Sequence, residues 1–538
     1  MNFLDLSDPR ERTLHGVLRR QATAIPDATY LWVDDAKISF AEALARANAW
    51  AAALRELGVA RGDSVAFLLR SGPEFVYATF GCLQLGAIWI PVNVDYRGAW
   101  LRATLEDAAA RVLIVDAELV PRVAELGPGL PVEHAIVLGS VSKGALPWPI
   151  LSAADIAKRA GKVAAPGDPG TGSGDTACVL WTSGTTGRSK GVMQSHNVWI
   201  RGALSGAENS GIREGDALYG CLPMYNSAAW VAHIYRALVA GIPVGLDPAF
   251  SVQTFWDRVR HYGATQIFTL GTMHIYLWQA PERDDDANNP VRHAGCVPMP
   301  DPLIDPFKKR FGIETLDQGY GQSEVLGMLH RYDVTPRKPN SLGQPLPGIE
   351  VTLLDDGDRP VAPGGVGEFC VRPTEPNTLF SGYWKNPEAT VAAWRNLWYH
   401  TGDLGRRDED GDWFFVDRKK DYIRHKGRNM SSFEVERAVA AHPAVSEAAA
   451  IGIPDPNLPS EAELMVFVKL KDGARVEPAE LARFVNDNAP YFFVPRYLEI
   501  TGDLPHTPTG RVQKFALRER GVGPATWDRI AAGFEVTR

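Results

Sequence analysis

Residues 182–191, TSGTTGRSKG, pack small, hydroxylated and glycine residues directly behind an apolar run. Gly184, Gly187 and Gly191 let the backbone turn its N–H groups toward an anion. Thr182, Ser183, Thr185, Thr186 and Ser189 add hydroxyl donors, and Lys190 adds a charge. Residues 177–181, ACVLW, read as a buried strand, so the loop leaves a sheet at a strand end, where open α/β sheets bind ligands. This points to phosphate. It is not a Walker A loop, which needs Gly-Lys followed by Ser or Thr, whereas Lys190 follows Ser189 and precedes Gly191. By composition alone a flexible Ser/Thr/Gly connector fits equally well.

The elements that must carry such a loop alternate in type. Residues 38–58 place Leu44, Ala47, Ala51, Leu54 and Leu57 on one helical face, with Gly58 as the stop. Residues 64–70 read as a strand, 74–87 as a helix, 88–93 as a strand, 98–109 as a helix and 111–116 as a strand. That order predicts a parallel, helix-covered sheet. Residues 160–175 are Gly/Pro-rich and polar, a solvated link into the loop, and the acidic run 282–289 reads as another solvated loop. Later segments 350–356, 367–373 and 412–417 read as antiparallel strands of a small β subdomain. The last 110 or so residues alternate helices and strands in a separate α+β unit.

Bulk properties narrow the partners. The 538 residues exceed one compact core. A net charge of −8 and the lack of a long Lys/Arg run argue against nucleic acid and an anionic membrane, and favour a small molecule. The N-terminal residues lack a signal-peptide pattern, and no run reaches about 18 apolar residues, so the expected location is cytoplasmic with no integral membrane segment. Cys82, Cys178, Cys221, Cys296 and Cys370 lie far apart with no Cys-x-x-Cys pair; reduced, buried thiols are expected.

The loop, TSGTTG with a basic residue and SKG, resembles the signature of the adenylate-forming superfamily: acyl-CoA synthetases, peptide-synthetase adenylation domains and firefly-type luciferases. Three further motifs follow in that superfamily's order. GYGQSEV, 319–325, is similar to its Tyr-Gly-x-Thr-Glu element. The resemblance puts Tyr320 and Gly321 at the nucleotide, with the Tyr320 ring against adenine, Ser323 in the Thr position with a hydroxyl for the α-phosphate, and Glu324 as an oxygen ligand for Mg²⁺. WYHTGD, 398–403, resembles the Thr-Gly-Asp element, which implies Asp403 on both ribose hydroxyls. Residues 417–436 resemble the hinge region: Arg418 would also reach the ribose, Lys420 would be the hinge, and Lys426 with Gly427 would form the face for CoA. LPHTPTGRVQK, 504–514, resembles the last motif and makes Lys514 the catalytic lysine.

The resemblance implies a large N-terminal ATP- and acyl-binding domain, 1–418, of helix-covered, mainly parallel sheets with the β subdomain. A mobile α+β C-terminal domain, 419–538, would follow. Tyr225, Asn226, Trp230, Gly271 and Gly319 would line an acyl pocket, together with Ala228, Ala229, Leu326 and Met328. Asn226 departs from the pattern, since acyl-CoA ligases often carry His there and amino-acid adenylation domains an Asp. The neutral amide cannot hold a substrate ammonium, and it could instead orient Tyr225.

The implied activity is that of an ATP-dependent acyl-CoA ligase using ATP, Mg²⁺ and CoA, closest to bacterial crotonobetaine/carnitine-type ligases in residues 255–265, 494–500 and 503–514. A stand-alone adenylation enzyme that loads a carrier protein is the alternative. The acid and the oligomeric state stay open, a homodimer among the options.

Overall fold

The computed structural model describes residues 4–182, 190–333, 338–419, 421–425, 428–455, 458–506 and 512–537. Contacts divide the described residues into two units: 4–182, 190–351 and 371–398 form the first, and those within 352–370 and 399–537 the second. The expected boundary at 418/419 differs from this division, because the β ladder around Asp403 and Arg418 groups with the C-terminal residues.

Two sheets build the first unit. One has eight strands in the order Gly382–Tyr383, Lys190–Ser195, Thr176–Thr182, Ile88–Pro91, Ser64–Leu68, Val112–Asp116, His134–Leu138 and Ile150–Ser152. Its pairs from Thr176–Thr182 onward are parallel, as the alternation of apolar runs and helices predicts. The pairs made by Lys190–Ser195 are antiparallel. The other sheet has nine strands, parallel through its centre at Val244–Leu246, Leu218–Gly220, Gln266–Leu270, His293–Val297 and Thr315–Gln322. It ends in antiparallel hairpins on both sides.

The first predicted helix starts later than its hydrophobic pattern suggests. Ile38 and Ser39 belong to the strand Ala36–Ser39, and the helix runs Phe40–Glu56. Ser39 accepts from the Glu42 N–H and Glu42 reaches back to the Ser39 N–H, a capping box that overrides the apolar periodicity. The acidic run 282–289 is also not wholly solvated. Asp286 is buried and accepts from Arg310 Nε at 2.7 Å, because one carboxylate of the run ties the loop to the helix Asp301–Phe311. All five cysteines are buried free thiols.

In the second unit the long strands Val445–Asp455 and Leu458–Leu470 pair antiparallel, and Tyr497–Ile500 adds a parallel neighbour. Alternation sorts their side chains onto two faces. Leu464, Val466 and Val468 pack with Val435, Val439, Leu481 and Val485 of the helices Ser432–Ala440 and Pro478–Asn488. Met465 and Phe467 pack with Leu504 and Leu517, the latter in the helix Lys514–Arg520. Among the described residues no helix is long and apolar enough to cross a membrane.

Candidate active site

The strands Thr315–Gln322 and Val325–Arg331 close into a hairpin whose last pair is Gln322 with Val325, so Ser323 and Glu324 form its tip. The register shifts between Tyr320 and Gln322, at Gly321. A Cβ there would stand 2.9 Å from Gly327 N and Val325 O, so only glycine lets these backbones close. The tip is held from outside the hairpin. The Gln194 side-chain amide donates to the Ser323 carbonyl, and Phe380 N–H donates to the Glu324 carbonyl at 3.1 Å.

Tyr383, which the sequence reading did not select, links two of the selected residues. Its strand Gly382–Tyr383 pairs with Lys190–Ser195, Tyr383 opposite Val192. Its hydroxyl donates to Glu324 Oε1 at 3.0 Å, and Lys190 Nζ lies 4.7 Å from its ring centroid. Glu324 is 9% exposed, and its carboxylate is a hard oxygen donor of the kind Mg²⁺ takes one or two of beside phosphate oxygens. In sequence, Tyr383 stands among ordinary strand and turn residues, FSGYW, and only the pairing of its strand reveals its place.

The phosphate loop is framed by the antiparallel pair Thr182 and Lys190, with Thr182 Oγ1 donating to the Lys190 carbonyl at 3.3 Å. Ser183, Gly184, Thr185, Thr186 and Gly187 lie outside the described residues.

Of the expected acyl-pocket residues, Trp230 is a core side chain. It is fully buried, stands 4.5 Å from Trp89 and 5.6 Å from Phe75 between ring centroids, and donates its indole N–H to the Met224 carbonyl at 2.7 Å. Gly271 has φ +49° and open space where a Cβ would be, at the start of the helix Thr272–Gln279. Gly319 faces the Leu329 carbonyl, 3.1 Å from a would-be Cβ. Asn226 precedes the short helix Ser227–Ala229. The group that faces the Tyr225 hydroxyl is Asp95: burial first, and then this carboxylate, push the Tyr225 phenol up to about 12.

In the second unit, Asp403 and Arg418 are direct partners across the antiparallel pair Trp398–Arg407 and Trp413–Arg418, with Arg418 Nε 3.7 Å from Asp403 Oδ1. The turn before Asp403 is fixed by Glu368. Its Oε1 accepts from Gly402 N–H at 2.9 Å, and its Oε2 lies 3.1 Å from His400 Nδ1 and 3.0 Å from Lys419 Nζ. Burial pushes the Glu368 carboxyl up, and the bonds from His400 and Lys419 outweigh it and hold it below its usual range. Glu368, Cys370 and His400 bring ligand-type atoms within 4.8 Å of one another, the spacing of a metal site. With Lys419 and Gly402 on the carboxylate, the cluster serves instead to hold the turn. Lys420, Lys426 and Gly427 lie outside the described residues. Lys514 begins the helix Lys514–Arg520, its ammonium 2.7 Å from Glu436 Oε1. The expected site residues thus divide, with Lys190, Tyr320, Ser323 and Glu324 in the first unit and Asp403, Arg418 and Lys514 in the second.

Residues 18–384 match the profile of the AMP-binding enzyme family, and residues 434–511 that of the AMP-binding enzyme C-terminal domain. The chain belongs to the AMP-binding enzyme family. It is an AMP-forming acid–CoA ligase. A crotonobetaine/carnitine–CoA ligase of Salmonella heidelberg strain SL476 is 31% identical over 494 residues, covering 90% of this chain and 93% of the relative. The enzyme of the same name from Salmonella typhi is 31% identical over 474 residues, covering 86% and 89%. Among solved structures, ATP-bound MatB from Rhodopseudomonas palustris superposes with a TM-score of 0.83 at 26% identity, over 94% of this chain and 98% of that one. The O-succinylbenzoate coenzyme A synthetase of Bacillus subtilis, in complex with ATP and magnesium ion, gives 0.80 at 25%, over 93% and 99%. Both of these solved structures hold ATP, and the second also holds magnesium ion.

Proposed function

We propose that the ligase activates a medium-sized organic acid, with the chemistry divided among the residues above. A carboxylate is a poor electrophile because its charge is delocalised. In the first half-reaction its oxygen attacks the α-phosphorus of ATP, and pyrophosphate leaves. In the second, the CoA thiol attacks the acyl carbon of the adenylate, its proton passes to solvent, and AMP leaves. Lys514 bridges the substrate carboxylate and α-phosphate as negative charge concentrates there, and the 182–191 loop with Lys190 grips the β- and γ-phosphates. Glu324, held by Tyr383, is the residue that would hold Mg²⁺, which neutralises phosphate charge when bound. Asp403 and Arg418 take the ribose, the Tyr320 ring lies against the adenine, and Gly321 lies at the nucleotide. No side-chain nucleophile is required, so positioning and electrostatics supply the rate enhancement.

The observation that carries this reading is the convergence of Lys190 over the ring face of Tyr383 and Glu324 on its hydroxyl, a cation and a carboxylate of the kind that takes Mg²⁺ arranged around one ring. The finer assignments extend it. Residues 419–538 turn about Lys420 between the half-reactions, withdrawing Lys514 and presenting Lys426 and Gly427 to CoA. The acid is bound near Tyr225, Asn226, Gly271 and Gly319, and the reaction takes place in the cytoplasm.

Incubation with Mg·ATP, CoA and a pool of carboxylic acids that includes crotonobetaine and carnitine tests the reading. AMP and new thioesters are followed by mass spectrometry. A thioester that appears in step with AMP names the acid. AMP or a bound acyl-adenylate without any thioester would overturn CoA as the acceptor and point to a carrier protein.

A further inference from the structure

Lys514 sits in a built cradle inside the second unit. Its side chain is 14% exposed, and its ammonium contacts two groups on one face of the helix Ser432–Ala440: the Ser432 hydroxyl and, one turn on, Glu436 Oε1 at 2.7 Å. Both acceptors are themselves fixed. Glu436 Oε1 also accepts from Ala450 N–H at 2.8 Å, which ties it to the strand Val445–Asp455. Ser432 is fully buried, and its N–H donates to Asp417 Oδ2 at 2.5 Å. Next to it, the Ser431 hydroxyl donates to the Val416 carbonyl at 2.7 Å and accepts from Glu434 N–H at 3.2 Å as the helix cap. Burial pushes the Glu436 carboxyl above its ordinary range, and the Lys514 charge opposes this.

An ammonium has three donors. Two directed to acceptors one helical turn apart fix the course of a long, flexible side chain and leave the third aimed in one direction. A lysine that must meet a substrate carboxylate and an α-phosphate together gains from being oriented beforehand, because misplacement by about 1 Å can cost about 100-fold in rate. Glu436, together with the buried Asp417 carboxylate, supplies the counter-charge that a lysine this far from solvent needs.

We propose that Glu436 and Ser432 are positioning residues for Lys514, fixing its side chain within the C-terminal unit so that the unit delivers the ammonium in one orientation. The inference rests on the adenylation role given to Lys514 above. Because Glu436, Ser432 and Lys514 travel together in one unit, the cradle acts on the adenylation half-reaction through Lys514 and is silent in the thioester-forming one.

The test separates the half-reactions, using the acid that yields a thioester in the screen above and its synthetic acyl-adenylate. Glu436→Gln should lower kcat for pyrophosphate release about 10- to 100-fold, with KM for ATP within about twofold of wild type. Thioester formation from the preformed adenylate should stay within about twofold. Glu436→Asp should recover part of the loss, Ser432→Ala should show a smaller loss of the same kind, and Glu436→Gln/Lys514→Ala should be no slower than Lys514→Ala alone. Equal losses in both half-reactions, wild-type adenylation or faster adenylation in Glu436→Gln would overturn the inference. Normal adenylation by Lys514→Ala would instead overturn the role of Lys514 itself. A substrate-free readout is acetylation of Lys514 by acetic anhydride, followed by peptide mass spectrometry. It should accelerate in Glu436→Gln in a protein with wild-type thermal unfolding, and an unchanged rate would also overturn the inference.

Discussion

The Tyr383 hydroxyl donates a 3.0 Å hydrogen bond to the Glu324 carboxylate, and the same ring presents its face to Lys190 at 4.7 Å. Tyr383→Phe keeps the ring and removes only the donor. The Glu324 carboxylate then loses this bond. The expected result is a fall in kcat/KM for Mg·ATP of about 10- to 100-fold, the range for a hydrogen bond to a charged group. The loss should be steepest at low Mg²⁺, where metal affinity limits the rate. Initial rates across a Mg²⁺ titration check this; a loss independent of Mg²⁺ would contradict it.

Gly321 lies where the hairpin register shifts, with two backbone atoms 2.9 Å from a would-be Cβ. Backbone cannot step aside as a flexible side-chain end can. Gly321→Ala should therefore cost about 1–3 kcal/mol and displace the tip that carries Ser323 and Glu324. A lower melting temperature together with reduced pyrophosphate release is expected, and unaltered melting would contradict the close approach.

Asp403 and Arg418 face each other across a ladder, and Glu368 anchors the turn between them and His400 through Gly402 N–H. Asp403→Ala should raise KM for ATP about 10- to 100-fold through lost charge-assisted hydrogen bonds, with the KM for CoA little changed. Glu368→Gln should raise the ATP KM less, because Asp403 keeps its charge and loses only part of its support. Isothermal titration with ATP separates the two variants from wild type and from each other.

In five buried histidines burial is the leading cause that holds the ring low: His196 and His233 at about 3, and His15, His274 and His293 at about 4. The unfolded chain binds these protons near pH 6.5, so between about pH 6.5 and 4 it carries more protons than the fold. Stability is then full above about 6.5 and falls as pH drops through that window, by up to about 1.4 kcal/mol per pH unit for each histidine. Melting temperatures should decline from near pH 6.5 downward. His233→Phe should flatten that decline by one proton's share, and a flat profile from pH 7 to 4 would contradict the neutral assignment.

Much of the chain was legible because its signals are local. Apolar runs and helical spacing between residues 64 and 116 announce a parallel sheet, since a strand buried on both faces must be apolar throughout. Gly321, Ser323 and Glu324 stood out only through the resemblance of GYGQSEV to a family motif, and the register shift and hairpin tip they form came from the structure. The family itself was legible because TSGTTGRSKG, GYGQSEV and WYHTGD each compress one task into a few adjacent residues.

Tertiary structure decided the rest, because those contacts join residues far apart in sequence that carry no local mark. Tyr383 gains its place only when its two-residue strand pairs with the Lys190 strand. Glu368 and Glu436 look like ordinary strand and helix carboxylates until the fold sets one against the Gly402 N–H and the other against Lys514. The packing of Trp230 against Trp89 and Phe75 likewise carries no mark in the sequence around it. Sequence thus determined which chemistry this chain carries, through short motifs whose backbone demands are local. The fold alone decided which side chains hold those motifs in position, since burial and pairing are properties of the whole packed unit.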